Sequence, residues 1–321
     1  MTDDRSMSRR DAVKLSLGVG ATLAIGRSHL LAQVASSGTS RQTGGLMTRA
    51  IPSTGERVPV VGMGTAVIYE TPTPEQIPPL RDTLRAFPGL GGRVLDSSPS
   101  YGRAETVVGD LLAELGTRDR FFLATKAYVR GAEDRAACAA RMQQSLDRFK
   151  TDHVDLMQIW NVSNPELVTP LLDEWKAAKQ TRYTGITSSF KRQYDALEAA
   201  MRSHKYDFVQ IDLAIDNRSA QDRIIPLAAD LGMAVLVNGP FGRNRVFQKT
   251  KDKPLPEWAK EFDAKSWAQF ALKYIVSNTQ VTAAIPGIGT VAYATDDLGA
   301  AHGALPDAAT RKRMEAYIDA L

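Results

Sequence analysis

A single cysteine, Cys138, leaves the chain unable to form an internal disulfide. Within "RAACAARMQQSL" it reads as a small helix residue, not a nucleophile. A strong charge of either sign is also missing. The formal net charge is +4, with acids and bases interspersed, so no electrostatic footprint for nucleic acid exists. Long apolar runs are lacking too. The longest candidate, Leu15 to Ile25, is too short to span a bilayer, and stable membrane insertion of the mature protein is not expected. No metal-ligating set is read from the sequence. What remains is the composition of an ordinary soluble enzyme, 43% hydrophobic and 24% charged over 321 residues.

The short apolar run has a context. Arg9-Arg10 precede it in "SMSRRDAVKLSLGVGATLAIG", the arrangement of a twin-arginine signal peptide. Residues 1–35 are therefore expected to be a signal and cleavage region, with candidate cleavage after Ala32 or Ala35. Residues 36–54 are expected to be a flexible lead-in, and residues 55–321 a single domain. The expected location is the periplasm, or another compartment reached by that route, with the twin-arginine export machinery as a partner. Such machinery carries folded proteins, often ones already holding a cofactor.

From about residue 58, short β-branched or apolar runs alternate with helical patterns. The strand candidates are "VPVVGMG", "RVLDSS", "FFLATKA", "HVDLMQIW", "TRYTGITS", "YDFVQIDLA", "MAVLVNGP" and "VTAAIPG". Between them, apolar residues recur at three- and four-residue steps. Eight strands with intervening helices predict parallel βαβ units and a (β/α)8 TIM barrel, α/β in class, with an appended C-terminal helix in "DAATRKRMEAYIDAL". A doubly wound sheet is the rival, supported by "GIGTVA" from Gly287 to Ala292. Only helical patterns follow that motif, however, and a dinucleotide fold would need further strands. In a barrel the same glycines follow the eighth strand, where phosphate commonly binds.

Barrel active sites gather at the C-terminal ends of the strands. That rule selects Gly64-Thr65, Asp96, Lys126, Trp160, Thr187-Ser188, Gln210, Asn238 and Gly287. The apolar run "RVL" ends strand two at Asp96, and the loop beyond it, "SYGRAE", carries Tyr101. Lys126 ends strand three and can meet both. A phenol ordinarily has a pKa near 10. A neighbouring ammonium lowers it, while the carboxylate holds the ammonium charged and oriented. Asp96, Tyr101 and Lys126 thus form a candidate tuned general acid.

With these residues in place, the sequence resembles the aldo-keto reductases. "VPVVGMGT", the Asp96-to-Glu105 stretch with its "SYGRAE", "LATKA", "VDLMQIWN", "RYTGITS", "DFVQI", "NGPFGR" and "SWAQFALKYIVSN…VTAAIPG" occur in that family's order and span residues 55–305. The resemblance implies a barrel that binds NADP(H) without a Rossmann domain. It implies hydride transfer to a carbonyl carbon of an aldehyde or ketone while the tyrosine protonates the oxygen. Asp96, Tyr101 and Lys126 match three of the family's four catalytic positions. Gln210 matches the glutamine at the nicotinamide carboxamide, and Thr187-Ser188 fall where its Ser-Asn pair lies. Gly64 and Thr65 fall beside the cofactor. Pro240, Phe241, Gly242 and Arg243 match the segment along the pyrophosphate, with Arg243 and Arg245 either phosphate clamps or solvated charges.

The chain also departs from the family in three places. Trp160 stands where the fourth catalytic residue, a histidine, is usual. His153 lies at the start of that strand and is expected at the opposite end of the barrel. Asn238 stands where a tyrosine stacks on the nicotinamide. After "IPG", Thr290 is present but the basic residues expected at the adenosine 2′-phosphate are not. NADP(H) remains favoured over NAD(H), though less strongly than in the family at large. Trp160, Tyr128 and Tyr69 are candidates for an aromatic substrate mouth.

The leading function is NAD(P)H-dependent carbonyl reduction. The alternatives are a nucleotide-binding barrel with weak or no turnover, serving as a sensor or partner subunit, and an aldolase-like enzyme using a Lys126 Schiff base. The export expectation has a direct check. Replacing Arg9-Arg10 with Lys-Lys should leave the precursor in the cytoplasm, and undiminished export would exclude the twin-arginine route.

Overall fold

The computed structural model describes residues 45–131 and 133–321. The expected signal and residues 36–44 of the lead-in lie outside the described residues. A β-hairpin comes first, β1 (Thr48–Ala50) antiparallel to β2 (Arg57–Pro59). Its first strand falls inside the stretch read as a flexible lead-in. At three residues per strand, the hairpin is too short for its periodicity to be visible.

Eight parallel strands follow: β3 (Met63–Gly64), β4 (Val94–Asp96), β5 (Phe122–Ala127), β6 (Val154–Ile159), β7 (Thr181–Ser188), β8 (Phe208–Asp212), β9 (Ala234–Asn238) and β10 (Ala283–Ala284). They pair in chain order, and bridges from Val61 to Ala284 and Gly64 to Gly287 bring β3 back to β10. The sheet therefore curls into a barrel, and each strand candidate read from the sequence contains one of its strands.

The helices are α1 (Ile77–Ala86), α2 (Ala104–Leu115), α3 (Arg135–Phe149), α4 (Pro165–Ala177), α5 (Tyr194–Ser203), α6 (Ile224–Asp230), α7 (Arg245–Lys249), α8 (Trp267–Val276), α9 (Val291–Gly299) and α10 (Ala308–Asp319). Among the described residues, no helix is long and apolar enough to cross a membrane. Side-chain caps start several of them. Asp134 accepts from Ala137 N at 2.9 Å, and Ser266 accepts from Gln269 N at 3.0 Å.

Two packed regions form. One lies between helices and sheet, and it includes Cys138. The other fills the lower barrel interior with Val94, Phe122, Leu156, Tyr183, Phe208 and Leu236. Phe122, Tyr183 and Phe208 pack with ring centroids 5.5 to 5.9 Å apart. Ile51 and Val58 of the hairpin join this cluster and close the base. Arg49 ties the hairpin to the end of α8, donating to the Asn278 carbonyl at 2.8 Å and to those of Val276 and Val281. The Val276 carbonyl is one of the last of the helix, which have no intrahelical donor, and the Asn278 carbonyl also accepts from Val281 N at 3.0 Å. The interior is thus apolar at its base. Its polar residues, Asp96, Lys126, Gln158 and Gln210, lie towards the strand C-termini.

Helices α2 and α3 touch at Gly109, where an added Cβ would sit 2.0 Å from the Arg148 carbonyl oxygen. Backbone cannot yield as a flexible side chain does. Gly109→Ala is expected to destabilise the fold by about 3 kcal/mol through overpacking, read as a lower urea midpoint. An unchanged midpoint would show that the helices separate freely.

Candidate active site

Strand register brings the chemistry together. Gly64 pairs with Asp96, Lys126 with Gln158, and Thr187 with Gln210, all near the C-terminal rim. Lys126 Nζ donates to Asp96 Oδ1 at 2.9 Å, to Oδ2 at 2.7 Å, and to the Ser97 carbonyl at 2.6 Å. Both side chains are only 3% exposed. Burial works against the ammonium, but Asp96 and Tyr101 hold Lys126 above the ordinary lysine pKa.

Tyr101 joins them, its ring centroid 5.4 Å from Lys126 Nζ. The turn that delivers it closes through Tyr101 N to the Ser98 carbonyl at 3.0 Å. Gly102 then takes a left-handed φ of +49°, where an added Cβ would meet the Glu70 carbonyl oxygen at 2.8 Å. The sequence reading expected the ammonium to lower the phenol pKa. Lys126 is indeed the largest single influence and acts in that direction. Burial, Asp96 and Glu70 together outweigh it and the help of Arg243, and the phenol lies above its ordinary value. The trio assembles as anticipated, but in the free protein it holds the proton more firmly.

The remaining faces of the carboxylate are met by two buried amides. Gln158 Nε2 lies 3.4 Å from Asp96 Oδ1, and Gln210 Nε2 lies 3.3 Å from Oδ2. Gln158 Nε2 also donates to Gln210 Oε1 at 2.9 Å. Gln158 was missed in the sequence, although an amide inside the apolar run "VDLMQI" was the available signal. Gln210 is 1% exposed and belongs to this network, not to the cavity wall.

A cavity of about 530 Å³ opens above the trio. Of the expected site residues, Gly64, Thr65, Asp96, Tyr101, Asn238, Pro240, Phe241, Arg243 and Gly287 line it. Ala66, Val67, Ile68, Ser189, Gly239, Asn244, Phe247 and Ile285 complete the wall. They sit beside the residues named from sequence, on loops whose course strand patterns do not reveal. Gly239 has a φ of +57° and open space where its Cβ would be, leaving room for a ligand against the backbone.

Several expected lining residues have other work. Thr187 Oγ1 accepts from Asn161 N at 2.9 Å, and Ser188 Oγ donates to Gln193 Oε1 at 2.8 Å. Their hydroxyls are committed to holding loops, and Ser189 reaches the cavity instead. Tyr128 is buried. Its hydroxyl accepts from Arg130 Nε and Nη2 at 3.0 and 2.6 Å, and its ring lies 5.4 Å from that of Trp160. Tyr69 is fully buried, with its hydroxyl 3.8 Å from Met63 Sδ. Neither tyrosine nor Trp160 lines the cavity, so the expected aromatic mouth does not form around it. His153 lies just before β6, 2.6 Å from Asp152, at the opposite end from the site.

The arginine alternatives separate. Arg245 is paired with Asp216 at 2.7 and 3.2 Å, whereas Arg243 faces the cavity. Gly242 is required by the same carboxylate, since an added Cβ would lie 2.5 Å from Asp216 Oδ1. Gly287 and Gly289 make room for Ile68, which would approach added Cβ atoms to 3.2 and 2.7 Å. Both glycines thus pack against Ile68, and Gly287 also lines the cavity. Thr290 caps α9, accepting from Tyr293 N at 3.2 Å, and does not line the cavity.

Residues 60–317 match the model of the aldo/keto reductase family. The chain is similar to the aldo-keto reductase YhdN of Bacillus subtilis (strain 168), 26% identical over 223 residues, or 64% of this chain. That match spans 65% of the length of YhdN. Protein REDOX 2 of Catharanthus roseus is 23% identical over 259 residues, covering 70% of this chain and 75% of its own. In fold, the chain is similar to an aldo-keto reductase from Klebsiella pneumoniae in complex with NADPH. Their TM-score is 0.70 at 21% identity, covering 85% of this chain and 95% of the other. The holo form of aldo-keto reductase AKR11C1 from Bacillus halodurans gives a TM-score of 0.69 at 20% identity, covering 84% and 96%.

Proposed function

Because the chain belongs to the aldo/keto reductase family, we propose that it reduces an aldehyde or ketone to an alcohol with NADP(H), using Tyr101 as the proton donor. The observation that carries this reading is the buried Asp96–Lys126 pair with the Tyr101 ring 5.4 Å from the ammonium, at the floor of a cavity. The bound NADPH of the Klebsiella pneumoniae relative supports the choice of nucleotide. Gly64, Thr65, Asn238 and Gly239 would hold its nicotinamide end, and Arg243 its phosphates. When bound, the reduced nucleotide supplies hydride to the carbonyl carbon.

The chain's own residues do the rest. Tyr101 donates its phenolic proton to the carbonyl oxygen as negative charge develops there. Lys126 lies close enough to stabilise the phenolate left behind, and Asp96 keeps the ammonium in place. A phenol above its ordinary pKa is fully protonated at neutral pH, so the acid is loaded before each turnover. Trp160 takes no proton in this scheme, because an indole N–H donates but does not accept. Carbonyl orientation falls to the walls, where Val67, Ile68, Phe241 and Phe247 favour an apolar substituent. Export by the twin-arginine route belongs to the same proposal, supported by Arg9-Arg10 ahead of the Leu15–Ile25 run.

The test is NADPH and NADH oxidation by the purified protein with a panel of aliphatic and aromatic carbonyls. Carbonyl-dependent oxidation is expected, level from pH 7 to about 10 and falling above the ordinary phenol range. Tyr101→Phe is expected to lose a factor of about 10² or more in kcat while binding nucleotide normally. Nucleotide binding without turnover on any carbonyl would favour a sensor or partner subunit. Normal turnover by Tyr101→Phe would remove Tyr101 from the role of acid.

A further inference from the structure

We propose that Gln158 is a positioning residue that sets the Asp96–Lys126 pair beneath Tyr101 and fixes the amide of Gln210. The inference rests on the reductase reading for its kinetic consequence, though not for its structural one. Gln158 has 0% exposure, and its strand neighbours are Lys126 on one side and Gly185 on the other. An added Cβ on Gly185 would stand 3.1 Å from Gln158 Cγ, so β7 leaves room for this side chain.

The hydrogen bonds dictate how the amides turn. A carboxylate only accepts, so both glutamines must present NH2 groups to Asp96. Gln158 then spends one N–H on Asp96 Oδ1 and the other on Gln210 Oε1. Gln210 returns an N–H to Asp96 Oδ2, closing a ring of three side chains from β4, β6 and β8. Opposite that ring, Lys126 holds both carboxylate oxygens. Without Gln158, one face of Asp96 loses its donor, and Gln210 Oε1 loses the N–H that fixes it. The carboxylate would then tilt, carrying the ammonium away from the phenol.

Gln158 Oε1 is buried without a protein partner among the described residues. A buried unpartnered acceptor costs stability. Retaining an amide here therefore runs against folding and in favour of the site.

Gln158→Leu, with the longer Gln158→Met as a second variant should the first pack badly, separates these roles. The expected kcat loss is about tenfold, the worth of one hydrogen bond to a charged group, with KM for the carbonyl unchanged. Thermal stability should fall modestly, because Gln210 Oε1 and one face of Asp96 are left without a donor. In the unliganded protein, the side-chain NH2 resonances of Gln210, assigned by their loss in Gln210→Leu, should be protected from solvent exchange. They should lose that protection in the Gln158 variants. Unchanged kcat per folded molecule, whether or not Tm falls, would overturn the proposal. If the wild type itself reduces no carbonyl, the reductase reading fails separately, and Gln210 protection that survives in the variants still overturns this one.

Discussion

A carboxylate and an ammonium buried together at 2.7 Å near the mouth of an otherwise apolar barrel constrain everything above the base. Neither charge is stable there alone, since burying an isolated ion costs several kcal/mol even after relaxation. Each lone pair and proton therefore needs a partner. The structure supplies them from four strands: the Ser97 carbonyl beside β4, Lys126 on β5, Gln158 on β6 and Gln210 on β8. That demand accounts for the change from aromatic packing at the base to a polar layer at the rim. A buried ion pair is weak evidence for stability. Its burden is more readily understood as the condition for holding a cation under a phenol.

The phenol shows which effect wins. Lys126 pulls the pKa of Tyr101 down, while burial, Asp96 and Glu70 push it up and prevail. A site poised this way favours the protonated form, which suits reduction. Trp160, where the resemblance leads one to expect a histidine, lies against Tyr128 outside the cavity wall. The chain beyond it is strained. Asn161 and the β-branched Val162 have φ values of 46° and 55°, conformations costing on the order of 1–3 kcal/mol each. Thr187, Ser189 and Gln193 bind Asn161 and hold the loop there. Residues matched by resemblance to cofactor contacts thus serve in part to fix this altered loop.

Much of the fold was legible because the barrel strands are short buried runs between amphipathic helices, a pattern that survives without tertiary information. Asp96, Lys126 and Tyr101 were legible because the rule for strand ends acts together with the five-residue step from acid to phenol. The hairpin at Thr48–Pro59 carries no periodicity and was invisible. Side-chain direction was the other blind spot. Thr187 and Ser188 lie beside Ser189 in the chain, yet their hydroxyls turn to loops while Ser189 reaches the cavity. Tyr128 and Tyr69 are aromatic and near the rim in sequence, but packing turns both inward. The spacing of "GIG" shows two small residues, but not the Ile68 side chain they make room for. The net phenol shift required burial and Glu70, neither of which a list of neighbours in sequence provides.

The central claim is that the buried pair exists for chemistry, not for the fold. Replacing both members at once, Asp96→Asn with Lys126→Met, removes the charges without leaving either unpaired. The deciding measurement is carbonyl-dependent NADPH oxidation by this folded double variant. The account predicts a barrel as stable as the wild type, or more so, with turnover reduced by a factor of about 10² or more. Turnover near the wild-type rate would contradict it, and would mean that Tyr101 needs neither partner to deliver its proton.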